Sequence, residues 1–87
     1  MKHELIKKIY HEWQNYNNDY LNDFIYFNEF LENKGYHCDI LAVGKKNLVI
    51  YRVKIENLSY LITDYGITVE IQYQNEFGKF INIYKYL

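Results

Sequence analysis

Apolar residues recur at spacings of three and four through the first third of the chain, at Ile6, Ile9, Trp13, Tyr16, Tyr20, Phe24, Phe27 and Leu31. At ~100° per residue these eight fall within about 40° of a common line, which predicts one apolar stripe on a helix over residues 3–34. The triplet Asn17-Asn18-Asp19 interrupts it with side chains that compete for backbone hydrogen bonds and favour caps and turns. Because the stripe crosses the triplet without losing phase, a continuous helix is the favoured expectation, with a kinked helix pair as the alternative. A strict heptad would place Asp23 in the seam. The step to Phe24 follows the α-helical period instead, which suits a helix lying on a sheet better than a coiled coil. Asn33-Lys34-Gly35 then supplies a cation in the last turn and a glycine for the left-handed C-cap position.

After Gly35 the period becomes two. Strands are expected at 36–43, 48–56, 60–63, 67–73 and 79–86, separated by turns at 44–47, 57–59, 64–66 and 74–78. In the second of them Val49, Tyr51, Val53 and Ile55 alternate with Arg52, Lys54 and Glu56. In the fourth, Ile67, Val69, Ile71 and Tyr73 alternate with Thr68, Glu70 and Gln72. Such strands have one apolar and one wet face, and turns this short force antiparallel pairing. The expected fold class is α+β: a long N-terminal helix (or kinked helix pair) packed on one face of a four- to five-stranded, mainly antiparallel meander sheet, as a single domain over residues 1–87.

Composition narrows the function classes. With 49% hydrophobic and 20% aromatic residues in 87, the chain has enough apolar surface to form one core and is not a disordered segment. A single cysteine, Cys38, excludes an intramolecular disulfide and a cysteine-based metal site within the chain, and suits a reducing cytosol. The N-terminus mixes charged and apolar residues too finely for a signal peptide, and no apolar run exceeds four residues, against the ~20 that cross a bilayer. A cytoplasmic protein with no membrane association is expected. Ile, Asn, Lys, Tyr and Phe supply 46 of the 87 positions, the signature of an A+T-rich genome, so part of the tyrosine excess is genomic.

Candidate chemistry is sparse. His3 and His11 lie eight positions apart and lack the spacing of a zinc pair, which leaves them as solvent-exposed polar side chains. Adjacent strand residues His37 and Cys38 face opposite sides, which leaves Cys38 as a buried structural thiol. Asp39 with Arg52-Val53-Lys54 resembles the acid and acid-x-lysine set of metal-dependent nucleases only in outline. Arg52 stands where the second acid belongs, and a cation there repels Mg²⁺. The four glycines are isolated and Ser59 is the lone serine, so neither a phosphate loop nor a serine triad can be assembled. The chain reads as a non-enzyme with no metal and no cofactor.

Three surfaces remain. Residues 12–33 carry Glu12, Asp19, Asp23, Glu29 and Glu32 and no Lys or Arg, a local charge of −5 in a chain whose net charge is −1. On a helical wheel Glu12, Asp19, Asp23, Tyr26 and Phe30 share one flank of the stripe, so acids and aromatics form a candidate partner-binding strip, extended by Glu29 and Glu32. A second candidate is a basic sheet face of Lys45, Lys46, Arg52, Lys54, Lys79 and Lys85 near aromatic residues, suited to RNA or single strands. A single Arg and the acids Glu56, Glu70 and Glu76 argue against direct nucleic-acid binding. The third is the last strand, where Phe80, Tyr84 and Tyr86 form a candidate oligomer edge for a homodimer.

In kind, a very small α+β protein with an acidic, aromatic helix is similar to the small inhibitors that phages and mobile elements direct at host machinery, anti-CRISPR proteins among them. It is equally similar to immunity proteins that neutralise toxins. The likeness covers no alignable segment. It implies a non-catalytic inhibitor of a protein target with a basic surface, such as a nucleic-acid-binding defence nuclease. The readings set beside it are a toxin-neutralising immunity protein and a small RNA- or single-strand-binding protein.

Overall fold

The structure, a computed structural model describing residues 3–83, runs α1 (Glu4–Asn18), α2 (Phe27–Asn33), β1 (Asp39–Val43), β2 (Val49–Ile55), β3 (Leu58–Asp64), β4 (Val69–Gln74) and β5 (Phe80–Asn82). Each strand pairs antiparallel with the next, giving a five-stranded meander in the order β1-β2-β3-β4-β5. The period-two pattern puts Tyr51, Val53, Ile55, Tyr60, Ile62, Val69 and Ile71 into the core. Ile6, Ile9 and Trp13 of α1 and Phe27 and Leu31 of α2 join them, with Cys38 and Ile83, in one buried cluster. The expected α+β class is the one observed.

The continuous helix does not form. Asn17 turns its side-chain amide onto the backbone of Ile25, accepting its N–H at 3.1 Å and donating to its carbonyl at 3.0 Å. The Trp13 indole N–H donates to the same carbonyl at 2.9 Å. Asn22 Nδ2 donates to the Tyr16 carbonyl at 3.1 Å, one of the acceptors a helix end leaves without an intrahelical partner. Asp19 leaves helical geometry at ψ 111° and takes the N–H of Leu21 on its carboxylate. The Asx residues therefore offered the backbone a better arrangement than another helical turn. The stripe divides accordingly: Tyr16 is half-buried with its ring 6.0 Å from that of Phe30, while Tyr20 and Phe24 stand outside the core.

The end of α2 follows the sequence signal. Gly35 sits at φ +96°, the Tyr36 N–H reaches the Leu31 carbonyl at 3.0 Å and the Gly35 N–H that of Glu32 at 2.9 Å, which is a Schellman closure. Strand limits differ in several places. Residues 36–38 precede β1, and the β2–β3 turn is Glu56-Asn57, at φ 50° and 68°, so Leu58 pairs with Ile55 and Ser59 with Lys54. Two left-handed residues match the twist of a two-residue hairpin, and the apolar alternation holds through them. Ile67 lies in the turn before β4 and is 82% exposed rather than in the core. β5 ends at Asn82, Ile83 is buried with its N–H on the Ile71 carbonyl, and Tyr84, Lys85 and Tyr86 lie outside the described residues.

Candidate partner-binding surface

Among the described residues, the break in the helix leaves Tyr20 and Leu21 strongly exposed. Tyr20 is 91% and Leu21 77% exposed, and both sit between the exposed acids Asp19 and Asp23 in the loop 19–26. Phe24, about half exposed, stacks edge-on to Tyr26 with ring centroids 5.2 Å apart. Tyr26 in turn covers Gly66: a Cβ there would lie 2.7 Å from the Tyr26 ring, and φ at Gly66 is +89°. Tyr65 and Ile67, the exposed neighbours of Gly66, therefore adjoin the Phe24–Tyr26 pair. Tyr20, Leu21, Phe24, Tyr65 and Ile67 are thus exposed apolar side chains of the loop 19–26 and the β3–β4 turn.

Asp64 holds this end of the molecule together. It is buried, and its Oδ1 accepts the Gly66 N–H at 2.9 Å while Oδ2 accepts the Asn28 N–H at 3.0 Å and the Tyr51 hydroxyl at 3.2 Å. The residue preceding α2, Tyr26, makes no side-chain cap, so a carboxylate from β3 satisfies the first turn of α2 in its place. Burial raises the Asp64 carboxyl above its usual range, against the opposing pull of these N–H groups and the hydroxyl. Burial, then the Asp64 charge, pushes the Tyr51 phenol upward as well. Cys38, whose thiol lies 3.8 Å from the Asn28 carbonyl, is pushed up to about 12 by burial, with Glu32 and Asp64 adding to it. It is a buried thiol, as expected, although it precedes β1 rather than lying within a strand.

The acids and aromatics expected on one helical flank do not share it. Asp19, Asp23 and Tyr26 belong to the loop and Glu29 is exposed on α2. Glu12 is bound to Lys34 at 3.0 Å, and the same ammonium stands 5.3 Å from the ring centroid of Phe30, which is half-buried. Glu32 accepts the Cys38 N–H at 2.6 Å. Thus Glu12, Phe30 and Glu32 serve internal contacts, and the cation just beyond the Lys-free stretch offsets one of its charges. The exposed anchors Tyr20, Leu21, Phe24, Tyr65 and Ile67 were not among the site residues read from the sequence. For Tyr20 and Phe24 the signal was the Asn17-Asn18-Asp19 triplet, which converts these two stripe positions into loop positions.

The other surfaces are less coherent. Arg52 is in register with Asp39, Lys45 and Lys46 lie in the β1–β2 turn, and Lys54 and Lys79 lie toward the opposite end of the sheet. The length of β2, roughly 20 Å at ~3.3 Å per residue, separates Lys45 and Lys46 from Lys54 and Lys79. Phe80 lies on β5, the edge strand opposite β1, and is partly exposed. His3, expected in solvent, instead has Nδ1 3.1 Å from the Tyr60 hydroxyl and its ring 4.5 Å from that of Tyr73. Among the described residues no three His, Cys, Asp or Glu side chains gather as a metal site, and no helix is long and apolar enough to cross a membrane.

No family model, curated protein or solved structure matches the chain. The functional reading therefore rests on the surface itself.

Proposed function

We propose that this protein is a small non-catalytic inhibitor that binds a protein partner through the loop 19–26 and the adjoining β3–β4 turn. The observation that carries this reading is the exposure of Tyr20 and Leu21 between Asp19 and Asp23. Aromatic and aliphatic anchors ringed by charge are the usual centre of a protein interface, and the flanking acids select a basic counterpart. A groove that normally takes nucleic acid, as in a defence nuclease, has that chemistry, and an acidic plug occupying it excludes the natural ligand. This is the anti-defence role of phage and mobile-element inhibitors in the cytoplasm, and a toxin-neutralising immunity protein would use the same surface in the same way.

The test is affinity capture from a lysate of cells in which the gene occurs, followed by quantitative binding to the captured protein. Asp19→Lys with Asp23→Lys should weaken binding at least about ten-fold at low ionic strength, and raising salt to about 0.5 M should weaken the wild type. Nucleic acid should compete with the inhibitor for the captured protein. Binding indifferent to charge reversal and to salt contradicts the reading.

A further inference from the structure

We propose that the outer edge of β1 pairs antiparallel with the same edge of a second copy of this chain, joining the two sheets into one. β1 stands at the edge of the sheet, and all five of its residues are exposed. Edge strands are ordinarily blunted by Lys, Pro or a bulge. β1 has no Lys or Pro, its sequence being Asp-Ile-Leu-Ala-Val with one charge at its first position, and its register step between Ile40 and Ala42 sets the faces a partner strand must match.

The faces of the strand explain why a second copy fits. Asp39 pairs with Arg52 on the open side of the sheet, and Ile40 pairs with the buried Tyr51 on the helix-bearing side. The register then steps from Ile40↔Tyr51 to Ala42↔Ile50, so Leu41 and Ala42 share the open side, and Val43, opposite Val49, returns to the helix side. Directly opposed residues in an antiparallel pair must point the same way. A two-fold pairing that sets Ile40 against Val43 of the second copy, and Leu41 against its Ala42, satisfies this at every position. It also sets Asp39 against Gly44, so no like charges meet. The apolar face of the sheet continues onto Ile40 and Val43, yet Val43 is 71% exposed. In the pairing, Ile40 and Val43 of both copies meet as one apolar patch beside Tyr51.

The seam is about 17 Å long at ~3.4 Å per residue. It falls short of the ~800 Å² per partner of a stable complex, so the dimer dissociates on dilution. This surface is separate from the loop 19–26, and either assignment stands or falls without the other.

Sedimentation of the purified full chain from about 5 to about 500 µM tests the pairing. The mass should rise with concentration from 10.7 kDa towards twice that value, and Val43→Lys should hold it at the monomer with an unchanged melting temperature. Ile67→Lys, which alters an equally exposed apolar residue elsewhere, should leave it unchanged. The register is read by mixing Leu41→Cys chains with Ala42→Cys chains under mild oxidation. The mixed disulfide should form at least about ten-fold faster than either homodimer, because only 41 and 42 are opposed. Buried Cys38 does not compete. A monomer at every concentration, association abolished by Ile67→Lys rather than Val43→Lys, or cross-linking without register preference overturns the proposal.

Discussion

Asp64, the last residue of β3, accepts the backbone N–H of Asn28 in the first turn of α2 at 3.0 Å across 36 positions of chain. A helix of seven residues is marginal alone, and this carboxylate supplies both the missing cap and a tie to the sheet. The same group fixes the β3–β4 turn through Gly66 and orients Tyr51. Asp64→Ala leaves two N–H groups and a phenol without their acceptor, and urea denaturation should show a loss of about 3–5 kcal/mol. Tyr51→Phe removes one donor and should cost only about 1 kcal/mol.

The pH dependence of Asp64 has a definite sign. Its carboxyl is held above the usual value in the folded chain, so between the unfolded and folded values only the native state binds the proton. The stability this contributes is complete below the unfolded value and is lost as pH rises through the folded one. Asp64→Asn removes the titration. The urea midpoint of the wild type should therefore gain on that of Asp64→Asn as pH is lowered from neutrality towards the unfolded value, and a constant difference between the two contradicts this.

Gly66 and Tyr26 are coupled by space as well as by backbone. Gly66→Ala places a Cβ 2.7 Å from the Tyr26 ring at a φ of +89°, and should destabilise by about 1–3 kcal/mol. Part of that loss is steric. In a Tyr26→Ala background the same substitution should cost less, and a double-mutant cycle measures the difference.

The sequence read well where periodicity acts through burial. The alternation of Val49, Tyr51, Val53 and Ile55 forecast β2 and its inward face, and Asn33-Lys34-Gly35 forecast the end of α2. It read poorly where side chains bond to distant backbone. The stripe kept its phase through Asn17-Asn18-Asp19, but phase cannot register that Asn17 pairs with Ile25, a contact that exists only once the chain has turned back. Asp64 read as a turn residue because its role depends on a helix 36 positions away. For the same reason the stripe assigns Tyr20 and Phe24 to the core, and it sets on one helical flank acids and aromatics that the loop divides.

Asn17 is therefore the residue on which the loop depends. Asn17→Ala removes both of its bonds to Ile25 and should cost about 1–2 kcal/mol. Hydrogen exchange at the Ile25 amide should accelerate more than that of the β2 and β3 amides, since the loop opens while the sheet stays paired.

Cys38 offers a direct probe of packing. With its thiol pushed up to about 12 inside the core, it should be inert to a disulfide reagent at mildly alkaline pH in the native protein and react promptly in denaturant. Rapid reaction of the native chain contradicts the burial described.

The central claim, that the loop 19–26 is the partner-binding surface, is tested most directly by site-specific photocross-linking. A photoreactive phenylalanine is placed at Tyr20 in one chain and at Arg52, on the open sheet face, in another, and each is irradiated in the lysate. A single adduct from position 20, competed by unmodified protein and lost at about 0.5 M salt, is the predicted result. An adduct from position 52 with none from position 20 contradicts the account and places recognition on the sheet.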